Sequence, residues 1–253
     1  MASADFTIVT GGCGAIGVAV VRAFVREGHR VGVLDRRPLP RELDALGEAV
    51  RYADCDVADE DEVARALEKV TSGVAIRHLV GVAGGALDEE VRAQQAGTLP
   101  DVATVDATLR ENVRTQYVAL HAALPSLLRL DGHRSLTLVS SINAIAGFGL
   151  PGYSAAKAAL IGLTNALTGP LGRLGIRVNV VAPGTVPTNR TLSLWHDADE
   201  TFAALLDYSA LGRLGTPEDI AEAVVVLATM LTHVTGQVLV VDGGQSVYRP
   251  LGD

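Results

Sequence analysis

Tyr153 and Lys157 are the pair of residues that most directly suggests chemistry in this sequence. On a helix they stand at positions i and i+4, so the phenol and the ammonium share one face. A free phenol has a pKa near ~10 and exchanges protons poorly at neutral pH. A fixed positive charge nearby stabilises the phenolate and lowers that pKa. The pair therefore predicts a general acid/base that adds or removes a proton at an alcohol or carbonyl oxygen.

A glycine-rich loop near the N-terminus gives a second signal. Residues 11–17 read Gly-Gly-Cys-Gly-Ala-Ile-Gly; an apolar, β-branched run at 6–10 precedes them and an amphipathic helix at 18–24 follows. Between a strand and a helix, such glycines permit a tight turn and a close approach of the backbone to a pyrophosphate. The N-terminus of the helix meets the negative charge. The loop therefore predicts a dinucleotide-binding site.

Asp35 stands at the end of the second predicted strand. A carboxylate there binds the hydroxyls of the adenosine ribose. A 2′-phosphate would meet like charge, at a cost of up to roughly 4 kcal/mol for a separation of ~4 Å and an effective dielectric near 20. The sequence thus favours NAD(H) over NADP(H), although Arg36 and Arg37 follow directly and weaken that preference.

The elements that position these residues alternate along the chain without an internal linker. Seven strands are predicted, beginning near residues 6, 30, 50, 77, 135, 176 and 237. Strands alternating with helices are typical of a parallel sheet covered on both faces and joined by right-handed crossovers. We therefore predict a single α/β, Rossmann-like doubly wound domain over residues 1–253, with the cofactor across the carboxyl ends of the strands.

Composition argues against several other classes of function. The chain has 253 residues, 48% of them apolar, which is enough for one large core. No stretch approaches the ~20 apolar residues of a membrane span, and a net charge of −8 disfavours nucleic-acid or anionic-membrane partners. The two cysteines give no disulfide framework and the six histidines show no metal-ligand spacing. From the histidines we therefore expect no metal site. Residues 1–5 lack a basic and apolar leader, so we expect a cytoplasmic protein.

Together these motifs resemble the short-chain dehydrogenase/reductase family, from about Thr7 to Gly244. The resemblance implies a seven-stranded sheet in the order 3-2-1-4-5-6-7. It also implies hydride transfer between a nicotinamide and a small-molecule substrate, interconverting a secondary alcohol and a ketone. The long apolar helices predicted at 101–129 and 153–172 pair between subunits in that family, so we expect a homotetramer, with a dimer as the alternative.

The same resemblance assigns the site residues. Tyr153 would be the general acid/base, Lys157 would bind the nicotinamide ribose and lower the pKa of the tyrosine, and Asn112 would hold a water of the proton relay. Residues 56–57 would hold the adenine, and residues 183–188 the nicotinamide. The implied cofactor-binding residues are Gly11, Cys13, Gly14, Ile16, Gly17, Asp35, Asp56, Val57, Ala83, Gly84, Tyr153, Lys157, Pro183, Gly184, Val186 and Thr188.

Two adjacent serines, Ser140 and Ser141, compete for the role of the residue that hydrogen-bonds the reacting oxygen. Ser140 lies 13 residues before Tyr153, which matches the spacing in the family. Alignment of the strand ends instead favours Ser141. Because neighbouring strand residues face opposite ways, strand position fixes the direction of a side chain more firmly than loop length does. We therefore expect Ser141 to be the catalytic serine and keep Ser140 as the alternative.

Three segments depart from the family's pattern. Gly14 gives the glycine loop a spacing closer to that of an epimerase-like branch. Residues 81–82 are Gly-Val where two asparagines are usual, which removes side chains that brace the central strands. Residues 84–112 form a longer stretch than usual. For this added segment a solvated surface loop is the preferred interpretation and a flap near the substrate is the alternative.

Residues 185–210 are expected to form a lid over the substrate. The chemistry-bearing side chains in this segment are Arg190, Trp195, His196, Phe202 and Tyr208. Trp195 and Phe202 could pack on an alicyclic or aromatic substrate and Arg190 could meet a carboxylate, but packing within the lid or exposure to solvent is the preferred interpretation. The sequence does not rank the candidate substrates.

Two other functions use the same residues. An NAD-dependent isomerase or dehydratase, slightly favoured by the Gly14 spacing, would oxidise its substrate only transiently. A dinucleotide-sensing protein without chemistry would be expected to lose Tyr153 or Lys157, and this chain keeps both. Net oxidation or reduction is therefore the preferred hypothesis.

Overall fold

A seven-stranded parallel sheet with helices on both faces is formed by residues 5–194 and 198–249, the parts of the chain that the computed structural model describes. Its order is β3-β2-β1-β4-β5-β6-β7. The predicted fold class and strand order are confirmed, and each strand begins within one residue of its predicted start. The strands are Phe6–Thr10 (β1), Arg30–Asp35 (β2), Val50–Asp54 (β3), His78–Gly81 (β4), Arg134–Val139 (β5), Ile176–Pro183 (β6) and Val238–Val241 (β7).

The helices occupy the segments between the strands, and none in the described ranges is long and apolar enough to cross a membrane. They are Ala15–Arg26 (α1), Arg41–Asp44 (α2), Glu60–Thr71 (α3), Asp88–Gln95 (α4), Val102–Leu109 (α5), Thr115–Leu127 (α6), Pro151–Arg173 (α7), Asn189–Leu194 (α8), Ala198–Leu206 (α9) and Pro217–Val225 (α10). A π-helical turn, Arg110–Arg114, joins α5 to α6. The helix predicted at 101–129 therefore forms one continuous helical run over 102–127 that contains a π-helical turn, and the one predicted at 153–172 lies within α7.

The core lies in two apolar layers, one on each face of the sheet. One layer packs α3, α6 and α7 on the sheet, and the other packs α1 and α10. Strand β1 is buried throughout because its side chains alternate between the layers: Phe6 and Ile8 enter the first, and Val9 enters the second. A strand buried on both faces is therefore a continuous apolar run in the sequence.

A glutamine from another element braces the end of β4, where the usual asparagines are missing. A Cβ atom at Gly81 would collide with the side-chain oxygen of Gln116, a buried residue of α6. Gln116 Nε2 donates a hydrogen bond to the backbone carbonyl of Ala83 at 2.5 Å. The Gly81 substitution therefore does not leave the central strands unbraced, because the amide of Gln116 fills the space.

Three ligand-type side chains meet at the opposite, amino-terminal edge of the sheet. Asp5, His29 and His78 bring one potential ligand atom each within 4.8 Å of one another. Arg77 Nε, however, donates to the Asp5 carboxylate at 2.5 Å. A guanidinium on the only carboxylate of the cluster opposes the binding of a cation. We therefore interpret the two buried histidines as neutral structural residues.

The buried His78 is expected to make the fold less stable in acid. Burial, together with nearby positive charges, lowers its pKa to about 3 in the folded protein, whereas an unperturbed histidine has a pKa near ~6.5. Between these values the unfolded chain binds a proton that the folded protein does not, so the free energy of unfolding falls as the pH drops from about 6.5 to about 3. Between pH ~6.5 and pH ~5 the loss should be about 2 kcal/mol, measurable by urea unfolding.

The matched variants are His78→Asn, at the buried site, and His133→Asn, at an exposed one. We expect His78→Asn to lose less stability than the parent over this pH range, and His133→Asn to lose as much as the parent. An equal loss in all three proteins would contradict the assignment of the acid sensitivity to His78.

Candidate active site

A cleft of ≈ 640 Å³ opens at the carboxyl ends of the central strands, and a second cleft of ≈ 360 Å³ adjoins it at the ends of β2 and β3. Most of the predicted site residues border one or the other. Those in the first cleft are Gly11, Gly14, Ile16, Gly17, Ala83, Gly84, Ser140, Ser141, Tyr153, Lys157, Pro183, Gly184, Val186 and Thr188. Those in the second are Gly11, Asp35, Asp56, Val57, Ala83 and Gly84. Parallel strands thus bring residues far apart in the sequence to one edge of the sheet.

The glycine loop forms a cradle whose backbone packs too closely against neighbouring backbone to allow side chains. Gly11 has φ +68° and a Cβ atom there would lie 2.6 Å from Ala83 Cα, while a Cβ atom at Gly17 would collide with the backbone oxygen of Gly11. Helix α1 then begins without a capping side chain or an acidic residue in its first turn. Its free N–H groups and its dipole suit the pyrophosphate of a dinucleotide, so these residues fit the predicted cofactor.

Gly14 is under a weaker constraint than its neighbours. A Cβ atom there would approach only the tip of the Arg37 side chain, at 2.8 Å from Nη2, and Gly14 has an ordinary extended conformation with φ −81°. A flexible arginine can move aside at little cost. The backbone conformation therefore does not require a glycine at position 14, the residue whose spacing slightly favoured an isomerase or dehydratase.

Asp35 ends β2 as a buried carboxylate held by its neighbours. It accepts hydrogen bonds from the backbone N–H groups of Cys13 and Arg37, both at 2.9 Å, and it pairs with the Arg37 guanidinium at 3.1 Å. The second arginine, Arg36, pairs with Glu111 at 3.2 Å. Both arginines that weakened the sequence-based preference for NAD(H) are therefore paired with carboxylates, Arg37 with Asp35 and Arg36 with Glu111.

Cys13 differs from the other predicted cofactor-binding residues because it borders neither cleft. Its side chain packs against the apolar layer beneath the loop, and its backbone N–H binds Asp35. Burial, and the negative charge of Asp35, raise the pKa of the Cys13 thiol to about 12. The Cys13 side chain is only partly buried and packs against this layer, so its predicted contact with the cofactor stays a prediction.

Helix α7 carries Tyr153 and Lys157 into the first cleft. The buried Lys157 Nζ donates to the backbone oxygen of Val139 at 3.0 Å and lies 5.7 Å from the centre of the Tyr153 ring. Burial lowers the pKa of Lys157 to about 8. The pKa of Tyr153 is raised, first by burial and also by the charge of Glu90, although a hydrogen bond with Ser141 acts in the opposite sense. The expected lowering of the tyrosine pKa is therefore wrong for this structure, because desolvation outweighs it.

The two serines face different partners, as expected for adjacent residues at a strand end. Ser140 Oγ donates to the backbone oxygen of Lys157 at 2.8 Å, so this hydroxyl fastens β5 to α7. Ser141 Oγ interacts with the Tyr153 phenol and accepts the backbone N–H of Asn143 at 3.2 Å. Ser141 is thus the serine that lies beside the phenol, in agreement with the direction inferred from the strand end.

Asn112 lies in the π-helical turn and borders neither cleft. Its amide nitrogen donates to the backbone oxygens of Gly85 and Thr108, both at 2.9 Å, and its side-chain oxygen accepts the N–H of Gly85 at 2.9 Å. These bonds use both amide hydrogens. The side chain therefore clamps the start of the added segment, and a role in a proton relay stays a prediction.

The added segment at 84–112 is part of the site rather than a solvated loop. It forms α4 and α5, and α4 places Val91, Gln94 and Gln95 along the first cleft. Glu90 of the same helix is completely buried and contacts the backbone of Tyr153. The preferred interpretation as a surface loop is therefore wrong, and the alternative of a flap near the substrate agrees with the position of α4. The buried position of Glu90 could not be predicted from the sequence. The residues around it are acidic and typical of an exposed helix, and no local pattern distinguishes Glu90 from them.

The predicted lid contains α8 and α9. The cleft-lining residues between 185 and 210 are Thr185, Val186, Thr188, Arg190, Thr191 and Leu205. Arg190 pairs with Asp88 at 2.5 Å and donates to the backbone oxygen of Ala86 at 3.0 Å, so its guanidinium joins the lid to the added segment. Phe202, expected to pack on a substrate or within the lid, borders neither cleft, and nor does Tyr208 of the same segment. Trp195 and His196 lie outside the described residues.

Comparison with known proteins places this architecture among oxidoreductases. A family model described as enoyl-(acyl carrier protein) reductase matches residues 12–246. An oxidoreductase of Schizosaccharomyces pombe is 36% identical over 254 residues, covering 96% of this chain and 91% of that protein. Galactitol 2-dehydrogenase (L-tagatose-forming) of Cereibacter sphaeroides is 32% identical over 250 residues, covering 95% of this chain and 94% of that protein.

A solved structure gives the same result in three dimensions. The crystal structure of an oxidoreductase of the short-chain dehydrogenase/reductase family from Burkholderia thailandensis has a TM-score of 0.84 and 34% identity to this chain. The likeness covers 96% of this chain and 93% of that one.

Proposed function

Because this chain belongs to the short-chain dehydrogenase/reductase family, we propose that it is an NAD(H)-dependent oxidoreductase that interconverts a secondary alcohol and a ketone. The observation that carries the proposal is the meeting of Tyr153, Ser141 and Lys157 in one cleft. The glycine cradle borders the same cleft, and the second cleft, which contains Asp35, adjoins it. A proton-transfer group thus lies within reach of a dinucleotide bound along the strand ends.

The protein manages the proton of the reaction. During oxidation, Tyr153 as phenolate accepts the proton of the substrate hydroxyl, and Ser141 donates a hydrogen bond to the same oxygen as charge develops. Lys157 would hold the nicotinamide ribose. The nicotinamide, when bound, supplies the chemistry of accepting or returning a hydride at carbon. Because the pKa of Tyr153 is raised, we expect alkaline pH to favour oxidation and neutral pH to favour reduction.

Asp35 supports NAD(H) rather than NADP(H). Its carboxylate is fixed by backbone N–H groups at the point where the ribose hydroxyls would bind, and a 2′-phosphate there would meet its charge. The Arg37 side chain, whose guanidinium pairs with the Asp35 carboxylate, is 57% exposed. It can therefore rotate away when ribose hydroxyls take its place.

The substrate end of the cleft favours a hydroxylated molecule that carries no positive charge. Gln94, Gln95 and Asn143 line it with amides beside the apolar Val91 and Phe148, and the lining residues in the described ranges include no carboxylate. Amides both donate and accept hydrogen bonds, as hydroxyl groups require. The galactitol dehydrogenase among the relatives is named for a polyol, so we propose polyols and hydroxyketones as the first substrates to test.

The test is an assay of nicotinamide absorbance with purified protein. NAD and NADP are each paired with polyols, hydroxy acids and cyclic alcohols at alkaline pH, and the reduced forms with the matching ketones at neutral pH. Turnover with NAD on one class is the expected result, and turnover only with NADP would refute the role of Asp35. Substrate conversion without net change in nicotinamide would indicate the isomerase or dehydratase instead. Binding of NADH without any conversion across the panel would argue for a sensing role.

We also propose that the protein is a homotetramer, with a dimer as the alternative. The edge strand β7 leaves Leu239 and Val240 each 37% exposed, and Tyr117 on α6 is 53% exposed. Apolar surface of this kind on an edge strand and a helix suits contacts between subunits. Light scattering should give a mass four times that of the chain, and a monomeric mass would contradict the proposal.

A further inference from the structure

Glu90 lies beneath the first turn of the helix that carries Tyr153. It is 0% exposed. Its two carboxylate oxygens lie 3.0 and 3.1 Å from the backbone nitrogen of Tyr153, which donates to them. Thr108 Oγ1 of α5 lies 3.3 Å from the same carboxylate and 2.9 Å from the backbone oxygen of Thr104, so its single proton is shared between the two acceptors. A carboxylate this deeply buried needs such partners, so its contact with α7 is a specific one.

Helix α7 has no cap of its own that could replace this contact. It starts at Pro151 after Leu150, which has φ 52° and provides no side-chain hydrogen bond. The first N–H groups of a helix lack partners within the helix, and a negative charge near them is favourable. A Cβ atom at Gly152 would lie 3.2 Å from Glu90 Oε1, so the glycine allows the carboxylate its close approach. Glu90 therefore caps α7 from a different element.

We propose that Glu90 is a positioning residue for Tyr153, because its buried carboxylate holds the Tyr153 backbone and so fixes the phenol in the cleft. The charge of Glu90 also opposes the ionisation of that phenol. The proposal rests on the proposed role of Tyr153 as general acid/base. The groups that face the phenol are the cationic Lys157 of the same helix, the neutral Ser141 after β5 and the anionic Glu90 of α4. Arg190 of the lid lines the same cleft. Glu90 is the one anion among these described groups.

This arrangement gives the added segment a function in proton transfer. Helix α4 borders the substrate through Val91 and Gln94, and contacts the catalytic helix through Glu90. One short helix therefore contacts both the substrate cleft and the group that exchanges the proton. A shift of α4 would move the Tyr153 backbone, and small displacements of reacting groups have large effects on rate.

The variants that test this proposal separate charge from shape. Glu90→Gln keeps an oxygen that can accept the Tyr153 N–H but removes the charge, and Glu90→Ala removes both. Glu89→Gln is the matched control, because Glu89 lies next to Glu90 on the same helix but is 59% exposed and pairs with Arg92. The control is expected to match the parent in every measurement.

The kinetic measurement is the pH profile of kcat for alcohol oxidation, with KM and the Kd of NADH as companions. Glu90→Ala should lower kcat by about tenfold or more and leave the Kd of NADH within about threefold. Glu90→Gln should restore most of that kcat. The acidic limb of the kcat profile of Glu90→Gln should lie at lower pH than that of the parent, because the negative charge that opposes formation of the phenolate is gone. A packing role alone would not move this limb.

A second measurement does not depend on turnover. The phenol of Tyr153 can be titrated by NMR in protein labelled with carbon-13 at tyrosine Cζ, and Tyr153→Phe assigns its signal among the five tyrosines. The pKa of Tyr153 should be lower in Glu90→Gln than in the parent and unchanged in Glu89→Gln. An unchanged titration in Glu90→Gln would overturn the proposal. If the parent itself shows no turnover with any substrate, the proposed function fails, while the titration still decides the role of Glu90.

Discussion

Tyr153→Phe is expected to lower kcat by about 10³-fold, while the Kd of NADH stays within about threefold. The substitution removes only the hydroxyl that exchanges the proton. The ring remains, so Lys157 keeps its bond to Val139 and Ser140 its bond to the α7 backbone. Binding of the dinucleotide depends on the glycine cradle and Asp35, which the change does not touch. Steady-state kinetics and NADH fluorescence titration measure the two quantities separately.

The control for this prediction is Tyr117→Phe, which removes a phenol hydroxyl from a residue that is 53% exposed on α6. It should leave both kcat and the Kd of NADH unchanged. Turnover at the parent rate in Tyr153→Phe would refute the assignment of the general acid/base. Loss of NADH binding in that variant would instead show that the phenol is needed to form the cofactor site.

Asp35→Ser is expected to shift the ratio of kcat/KM for NADP to that for NAD by at least about 100-fold toward NADP. The change removes the buried charge that would repel a 2′-phosphate. It also releases the Arg37 guanidinium, which pairs with Asp35 at 3.1 Å and could then bind the phosphate. The serine hydroxyl can still accept one of the backbone N–H bonds that the carboxylate held. Kinetics with both cofactors on one substrate give the ratio directly.

Asp54→Ser provides the matched comparison. Asp54 lies opposite Asp35 in the register of β2 and β3, but it is exposed and does not border either cleft that holds the predicted site. We expect the parent ratio in this variant, because a solvated charge outside the cofactor path has little effect. A ratio unchanged by Asp35→Ser would show that another group selects the cofactor.

The parts of the fold that could be predicted from the sequence are those with a local cause. Strand β1 is buried on both faces, so it is a continuous apolar or β-branched run whose start is visible in the sequence. The glycine loop could be predicted because its backbone approaches another strand too closely for side chains. The direction of Ser141 followed from the alternation of residues along a strand. Strand order came from the family resemblance, since periodicity does not determine it.

The parts that could not be predicted depend on contacts between distant residues. Glu90 and Tyr153 are separated by 63 positions, and the sequence around Glu90 is that of an exposed acidic helix. Gln116 likewise has no local sign that it fills the space at Gly81. The raised pKa of Tyr153 was missed for a related reason. Charge spacing along a helix is visible in a sequence, whereas the desolvation that outweighs it depends on the whole cleft.

The contact between Gly81 and Gln116 also restricts which substitutions this protein can accept during evolution. An asparagine introduced at Gly81 alone would overlap the amide of Gln116, and a smaller residue introduced at Gln116 alone would leave a void beside the Ala83 carbonyl. Either single step costs stability, so substitutions at the two sites are strongly epistatic. Homologous sequences should therefore show the two positions covarying. A lineage that passes between the two ways of bracing the central strands must either change both residues together or tolerate a weakened intermediate.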